Sequence, residues 1–268
     1  MLVCTIGDLT LDVLVRLADP LSVGGDTDAE IRIAPGGQAA NVAAWAASLG
    51  AEARFVGKRG DDESGRLARA GLETAGVEVL GPAAGRNGVI CSLVSPDGSR
   101  SMAADRGAAV VLSPEEIEAE WLEGCDHLFV SGYALLLEPA RSAALVAVEL
   151  GRAQGAAVSV DLATWSAIRA AGVAEFRQAV ATVAPDVVFA NDSEAEFFGT
   201  RHDDALWIIK RGAHGCAFGE DERPALPVQR VVDTTGAGDA LAAGWIVGGP
   251  DLALEAAARC LQKLGAMP

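Results

Sequence analysis

The sequence has no basic stripe, no pair of closely spaced cysteines and no long apolar run, and each absence excludes a class of function. Its 37 acidic residues outnumber the 21 basic ones, so the net charge is −16. The basic residues form no cluster of the kind that binds nucleic acid. The five cysteines lie far apart, as is typical of thiols in a reducing compartment. No apolar stretch is long enough to span a bilayer, and the N-terminus lacks the basic region of a signal peptide. We therefore expect a cytoplasmic protein that binds neither nucleic acid nor a membrane.

Two common nucleotide-binding motifs are also missing. The first predicted strand ends in Ile6-Gly7-Asp8 and is not followed by GxGxxG, which argues against a dinucleotide-binding dehydrogenase. Lysine occurs only at positions 58, 210 and 263, and none of these fits the GxxxxGKS or GxxxxGKT pattern of a P-loop. The sequence therefore excludes both of these nucleotide-binding architectures.

Short apolar strands alternate with helical stretches along most of the chain. An Ala-rich helix is predicted over 38–49 and a second over 62–75, each closed by a glycine. Ser113-Pro114-Glu115-Glu116 is typical of the start of a further helix. The predicted strands are 1–6, 54–56, 127–131, 157–161, 186–190 and 206–210. This alternation predicts an α/β fold, with a central, mostly parallel sheet covered by helices on both faces.

Two polar, β-rich segments interrupt this alternation, at about 12–35 and 87–108. Residues 30–33 alternate with a period of two, and the turn sequence 95–99 separates two short strands in the second segment. Both segments are too polar and too short for the central sheet. We therefore predict one domain over 1–268, with a small antiparallel β lid built from both segments, which would exclude water from a site beneath it. Exposed strand edges favour pairing, so a homodimer through the lid is expected.

The strongest chemical signal is Asp233-Thr234-Thr235-Gly236-Ala237-Gly238-Asp239, which leads into an apolar helix. A glycine-rich turn entering a helix presents unpaired backbone N–H groups and the positive end of the helix dipole, and this combination binds anions. Asp239, at the end of the turn, can deprotonate an alcohol that attacks a phosphoryl group. The alternative is an ordinary glycine turn in which Asp239 only stabilises the first turn of the helix.

This turn resembles the C-terminal signature of the ribokinase-like, or PfkB, carbohydrate kinases. Four further segments resemble that family in the same order: Gly36-Gly37-Gln38-Ala39-Ala40-Asn41, 55–65, Asn191-Asp192-Ser193-Glu194 and 208–215. The resemblance covers residues 2–266 and implies ATP-dependent phosphorylation of a hydroxyl on a small sugar or sugar acid. It makes Asp239 the catalytic base, with Gly236, Ala237 and Gly238 as the anion hole.

The same resemblance implies an acceptor site on the N-terminal half of the chain. Glycines let a backbone approach a ligand closely, while an amide and a carboxylate can bond sugar hydroxyls. The predicted acceptor-binding residues are Asp12, Gly36, Gly37, Asn41, Arg106 and Tyr133. Asn41 can equally cap a loop and Asp12 can be a solvated acid at the lid hinge. Arg106 can instead form an exposed ion pair, and Tyr133 can instead pack in the core.

The cofactors implied are ATP and Mg²⁺, with a monovalent cation such as K⁺ as a further candidate. Asn191 and Glu194 offer oxygen ligands to Mg²⁺, which takes few protein ligands, and they can also form a helix-capping box. The predicted nucleotide-binding residues are Asn191, Lys210, Gly212, Gly215 and Thr235. The family usually carries a longer helical segment after the position of Trp245, where it helps to enclose adenine. Here Gly248-Gly249-Pro250 predicts a shortened connection.

Two other functions are compatible with the resemblance. One is a nucleoside kinase of the same family, although aromatic residues make up only 5% of the chain and leave little material for stacking on a base. The other is a non-catalytic sugar-binding regulator on the kinase fold, although binding alone does not require Asp239. The favoured partner is therefore a small-molecule sugar substrate.

Overall fold

The computed structural model describes residues 1–97, 100–162, 164–199 and 204–268, and strands alternate with helices along them. The strands are β1 (Leu2–Ile6), β2 (Thr10–Leu17), β3 (Ala29–Gly36), β4 (Glu52–Val56), β5 (Val77–Leu80), β6 (Gly88–Val94), β7 (Arg100–Asp105), β8 (His127–Ser131), β9 (Ala157–Asp161), β10 (Val187–Asn191), β11 (Leu206–Lys210), β12 (Cys216–Phe218) and β13 (Asp221–Arg223). The helices are α1 (Gln38–Ser48), α2 (Glu63–Thr74), α3 (Ala140–Ala153), α4 (Trp165–Ala171), α5 (Val173–Val183), α6 (Asp192–Phe198) and α7 (Ala237–Cys260).

The central sheet has the strand order β13-β12-β11-β10-β9-β8-β1-β4-β5 within the described residues. Its strands pair in parallel from β5 to β11, and only β12 and β13 pair antiparallel. Neighbouring side chains of a strand point to opposite faces, so Phe129 packs towards α1 and α7 while Val130 packs towards α3 and α5. Both side chains are fully buried. The predicted mostly parallel sheet with helices on both faces is confirmed.

A second sheet, with the order β3-β2-β6-β7, stands apart from the central one. It confirms the predicted small β layer, but the expectation that it is wholly antiparallel is wrong. β2 and β6 pair in parallel, because the two chain segments that build the sheet enter it in the same direction. Gly98 and Ser99, part of the predicted turn, lie outside the described residues.

The helix predicted to start at Ser113 is also wrong, because only a short 3-10 turn, Pro114–Glu116, forms there. Glu116 folds back on that turn: its Oε2 accepts a hydrogen bond from the Ser113 N–H at 2.9 Å, and its Oε1 accepts one from Lys58 Nζ at 2.6 Å. The chain is extended again at Ile117. The capping signals are thus present, but the next α-helix begins only at Ala140.

Helix α7 is kinked at Gly248-Gly249-Pro250, where the sequence predicts a shortened connection. Gly248 and Gly249 have non-helical backbone angles, and the helix resumes beyond Pro250. The two halves pack so closely that a Cβ on Gly244 would lie 2.5 Å from the Leu252 carbonyl oxygen. The chain therefore folds back on itself here, and only glycine fits at position 244. No helix in the described part of the chain has the length and apolarity needed to cross a membrane.

Candidate active site

A cavity of about 790 Å³ lies between the carboxyl ends of the parallel strands and the second sheet. Ligands of open α/β sheets bind at this edge. The predicted site residues that line it are Asp12, Gly37, Asn41, Arg106, Tyr133, Glu194, Lys210, Thr235, Gly236, Gly238 and Asp239. Asn41 and Asp239, 198 positions apart in the chain, thus meet in one place. Gly36 lies behind Asp12, and a Cβ on it would be 2.2 Å from the Asp12 carboxyl carbon.

The turn before α7 is held in shape by a buried acid, Asp233. Its Oδ1 accepts hydrogen bonds from Thr235 N at 2.9 Å and Thr235 Oγ1 at 2.6 Å, and its Oδ2 accepts one from Gly265 N at 3.0 Å. Gly236 caps the helix with φ of +77°, and a Cβ there would lie 2.5 Å from that of Ala266. The turn needs glycine at this position for both reasons, and it places the N-terminal end of α7 at the cavity.

The Asp239 carboxylate lies in the first turn of α7, beside α1. Asn41 Nδ2 donates a hydrogen bond to Asp239 Oδ2 at 2.7 Å. Burial and the nearby charge of Asp161 raise the pKa of Asp239 to about 7, against the opposing effects of Asn41 and Lys210. The other polar atom of the amide, Asn41 Oδ1, is buried and has no hydrogen-bond partner among the described residues. This pair therefore combines a carboxylate of near-neutral pKa with an acceptor atom that a ligand hydroxyl could satisfy.

Lys210, at the end of β11, is bound by an acid that the sequence analysis missed. Its ammonium donates to both carboxylate oxygens of Asp161 at 2.7 Å. Burial lowers the pKa of Lys210, but the carboxylates of Asp161 and Glu194 outweigh burial and raise it, so the lysine keeps its proton. Asp161 ends the buried strand β9, and an acid at the carboxyl end of a buried strand was the signal available in the sequence.

Asn191 and Glu194 form the capping box at the start of α6. Glu194 N donates to Asn191 Oδ1 at 2.8 Å, and Asn191 N donates to Glu194 Oε2 at 2.9 Å. Only Glu194 of the two also lines the cavity, where burial raises the pKa of its carboxyl group. Within the described ranges, no three His, Cys, Asp or Glu side chains are grouped closely enough to hold a metal ion by themselves.

The acceptor side of the cavity contains a second acid that the sequence analysis missed. Asp8, just after β1, accepts a hydrogen bond from Arg106 Nη1 at 3.1 Å and one from Ser131 Oγ at 3.3 Å. The Arg106 guanidinium also lies over the ring of Tyr133, 3.8 Å from its centroid. The sequence left open whether Arg106 contacts a ligand or forms an exposed ion pair. In the structure it forms an ion pair with Asp8, and its side chain is half-buried.

Asp12 projects from the second sheet into the same space. Its Oδ1 accepts a hydrogen bond from Thr10 Oγ1 at 2.8 Å, and burial raises its pKa to about 6. Arg100, at the start of β7 in the same sheet, donates a hydrogen bond from Nη1 to Thr235 Oγ1 at 2.6 Å. The sequence analysis missed Arg100, and no local pattern distinguishes it from a surface arginine.

An adjoining, largely apolar cavity of about 480 Å³ lies on the other side of the turn. The predicted residues Gly212, Gly215 and Ala237 line it, and Lys210 and Gly238 line both cavities. One wall consists of Leu254, Ala257, Ala258 and Leu261, which all follow the kink in α7. The half of α7 beyond the kink therefore forms part of this pocket.

The chain is similar to sugar and nucleoside kinases along nearly its whole length. A family model for the pfkB family of carbohydrate kinases matches residues 2–267. An ATP-dependent ribose-1-phosphate kinase from Halopiger xanaduensis is 35% identical over 281 residues, covering 96% of this chain and 90% of that protein. The crystal structure of adenosine kinase from Sinorhizobium meliloti has a TM-score of 0.85 at 26% identity, covering 99% of this chain and 95% of that one. A ribokinase II from E. coli, solved with ATP and Mg²⁺, has a TM-score of 0.81 at 21% identity, with 99% and 94% covered.

Proposed function

The chain belongs to the pfkB family of carbohydrate kinases and is a phosphotransferase with an alcohol acceptor, and we propose that it phosphorylates a hydroxyl of a small sugar or sugar acid with ATP, using Asp239 as general base. The observation that carries this proposal is the hydrogen-bonded pair of Asn41 and Asp239 beside the glycine turn. A general base works best when its pKa lies near the working pH, and the pKa of Asp239 is about 7.

In the proposed reaction, the reacting hydroxyl of the acceptor donates its hydrogen bond to the Asp239 carboxylate, while Asn41 Oδ1 accepts one from an adjacent hydroxyl of the same molecule. The proton of the reacting hydroxyl passes to Asp239 while its oxygen forms a bond to the γ-phosphorus of ATP. The bond from that phosphorus to the β–γ bridging oxygen breaks, and ADP leaves. The N–H groups of the turn at Gly236, Ala237 and Gly238 bind the oxygens of the transferring group, where charge is spread in the transition state. Asp12 binds a neighbouring hydroxyl of the acceptor.

The apolar cavity beyond the turn is the proposed adenine site. Its lining is mainly aliphatic, which suits a flat base, and Gly212 and Gly215 bring a backbone close to it. Lys210 and Gly238 border both cavities, so a nucleotide bound there directs its phosphates towards the turn.

Mg²⁺ is proposed to bind with the nucleotide and to neutralise phosphate charge. Glu194 lines the cavity next to Lys210, and Asn191 fixes its position through the capping box. A single carboxylate fits Mg²⁺, which keeps most of its waters at kinase sites. Dependence on a monovalent cation is a separate proposal, which replacement of K⁺ by a large organic cation tests.

The proposed acceptor is a sugar rather than a nucleoside. The side chain of Tyr133 is covered on one face by Arg106 and is therefore poorly placed to stack on a base from that face. The similar protein from H. xanaduensis acts on ribose 1-phosphate, and the similar protein from S. meliloti acts on adenosine. These two compounds, with neutral sugars such as ribose and fructose, form the acceptor panel.

A homodimer through the lid is also proposed. Inner residues of the second sheet, such as Asp12, face the cavity, so their neighbours Val13 and Val15 face away, paired with Ile33 and Ile31. Ile31 is 62% exposed and Ile33 60% exposed. An apolar sheet face of this kind is expected to pack against its copy. Light scattering should give a dimer for the native chain and a monomer for Ile33→Glu, and a native monomer would overturn this proposal.

The test of the proposed activity is ADP release with ATP, Mg²⁺ and each member of the panel. At least one acceptor should stimulate ADP release strongly over the rate with water alone. A panel in which several sugars raise the thermal unfolding temperature but none is phosphorylated would favour the non-catalytic regulator instead.

A further inference from the structure

The indole of Trp45, buried on α1, binds the segment that follows α7, residues 264–268. Trp45 Nε1 donates a hydrogen bond to the Ala266 carbonyl oxygen at 2.8 Å, and the residue is 1% exposed. This tail segment has no regular secondary structure. Among the described residues, the Ala266 carbonyl otherwise meets only a thiol, Cys260 Sγ, at 4.0 Å. The indole N–H is therefore the main polar contact that fixes Ala266.

The glycine turn before α7 rests on the tail segment. A Cβ on Gly236 would lie 2.5 Å from the Ala266 Cβ and 2.6 Å from the Ala266 Cα, so the two residues pack in direct contact. Asp233, which shapes the turn through Thr235, also accepts a hydrogen bond from Gly265 N at 3.0 Å. One residue of the tail segment thus helps to shape the turn, and the next one supports it. The place of Ala266 therefore determines where the turn can lie.

Helix α1 connects this support to the proposed base. Asn41, which donates to Asp239, precedes Trp45 by four residues, and residues at that spacing lie on the same face of a helix. The cationic groups of Arg259 and Lys263 lie over the Trp45 ring, 5.4 and 4.8 Å from its centroid, and hold the end of α7 there. One helix thus contacts both the base and the segment that supports the turn.

We infer that Trp45 is a positioning residue for phosphoryl transfer, which keeps the glycine turn in place beside Asp239 by fixing Ala266 through its indole N–H. This inference rests on the proposed function. Trp45 lines neither of the two cavities, so it acts through the contacts from Trp45 to Ala266 and from Ala266 to Gly236. Phosphoryl transfer requires the donor, the acceptor and the anion hole in a fixed arrangement. A misplacement of about 1 Å can cost about 10²-fold in rate.

The first test is Trp45→Phe, which removes the N–H donor and keeps an aromatic ring. We expect kcat to fall by about 10- to 10²-fold, because the turn is no longer held in place. The KM values for ATP and for the acceptor should change little, because the residues lining both cavities are unchanged. The matched control is Trp121→Phe, which should keep the native kcat. Trp121 packs in the core on the opposite face of the central sheet and lines neither cavity.

A second variant approaches the same contact from the tail segment. Ala266→Gly deletes the methyl group that packs at Gly236, and it should lower kcat with both KM values unchanged. If Trp45 acts through Ala266, the loss of kcat in the double variant should be smaller than the product of the two single losses. A tryptophan that only stabilises the fold would lower the thermal unfolding temperature and leave kcat native below it.

The outcomes are distinct. An unchanged kcat in folded Trp45→Phe, a loss confined to KM, or single losses that simply multiply would overturn the inference and leave the proposed kinase activity in place. If Trp45→Phe does not fold, Ala266→Gly decides alone, and a native kcat in that variant overturns the inference. Failure of the native protein to phosphorylate any acceptor would instead overturn the proposed function.

Discussion

Lys210 donates to both carboxylate oxygens of Asp161, at 2.7 Å each, and so joins the ends of two strands of the central sheet. The pair lies beside Asp239, and the Asp161 charge is the largest cause, after burial, of the raised pKa of Asp239. An acid that never touches the acceptor in the proposed reaction thus sets the pH at which the proposed base works.

Replacing this acid should shift the pH dependence of the enzyme. Asp161→Asn removes a negative charge that raises the pKa of Asp239, so that pKa should fall below about 7. The proposed base acts when deprotonated, so activity should rise with pH through this pKa. The acidic limb of kcat/KM should therefore move to lower pH in the variant, as measured by a full pH–rate profile.

The control for this shift is Asp186→Asn, since Asp186 is partly exposed and pairs with Arg152 away from the cavity. An acidic limb at the same pH in Asp161→Asn and the native enzyme would show that another group controls it. Thermal unfolding should accompany the kinetics, because the variant leaves the Lys210 charge without its partner and such a change is destabilising.

A change at Glu194 should alter the metal requirement. Glu194→Gln keeps an oxygen that can accept the Asn191 N–H bond, so α6 should still be capped. The lost charge should raise the Mg²⁺ concentration needed for half-maximal activity and lower kcat. The matched control is Glu196→Gln, an exposed residue on the same helix. Identical Mg²⁺ titrations for Glu194→Gln and Glu196→Gln would remove Glu194 from the proposed metal site.

Filling the apolar cavity should affect the nucleotide alone. Ala258 lines that cavity from the half of α7 beyond the kink, so Ala258→Phe would occupy part of its volume of about 480 Å³. We expect a higher KM for ATP, with the affinity for the acceptor, measured calorimetrically without nucleotide, unchanged. An unaltered KM for ATP would place adenine elsewhere.

The fold was predictable because strand and helix periods are local properties of the chain. The segments ending at Asp239 and Asn41 were recognised for the same reason, since glycine turns leave a sequence pattern. Asp8 and Asp161 were missed, although Asp8 follows one buried strand and Asp161 ends another, at the sheet edge where ligands bind. The position of Arg100 was not predictable, because its hydrogen bond to Thr235 depends on how the second sheet packs against the turn. For Asn191 the sequence pattern is ambiguous instead. A helix-capping box and a magnesium site both use an asparagine followed three residues later by a glutamate, so the pattern alone does not distinguish them.

The most direct prediction concerns Asp239 itself. Asp239→Asn preserves the size of the side chain, and its amide still offers an oxygen to Asn41 Nδ2, so the contact between α1 and α7 should survive. The variant cannot take the acceptor proton, so kcat should fall by about 10²–10⁴-fold, the usual worth of general-base catalysis. Nucleotide affinity should change little, because the proposed adenine site lies beyond the turn.

Asp19→Asn, at an exposed position away from the cavity, is the control and should leave kcat unaltered. Near-native turnover of Asp239→Asn with a good acceptor would transfer the role of base to another acid, and Asp12, with a pKa of about 6 in the same cavity, would be the first to examine.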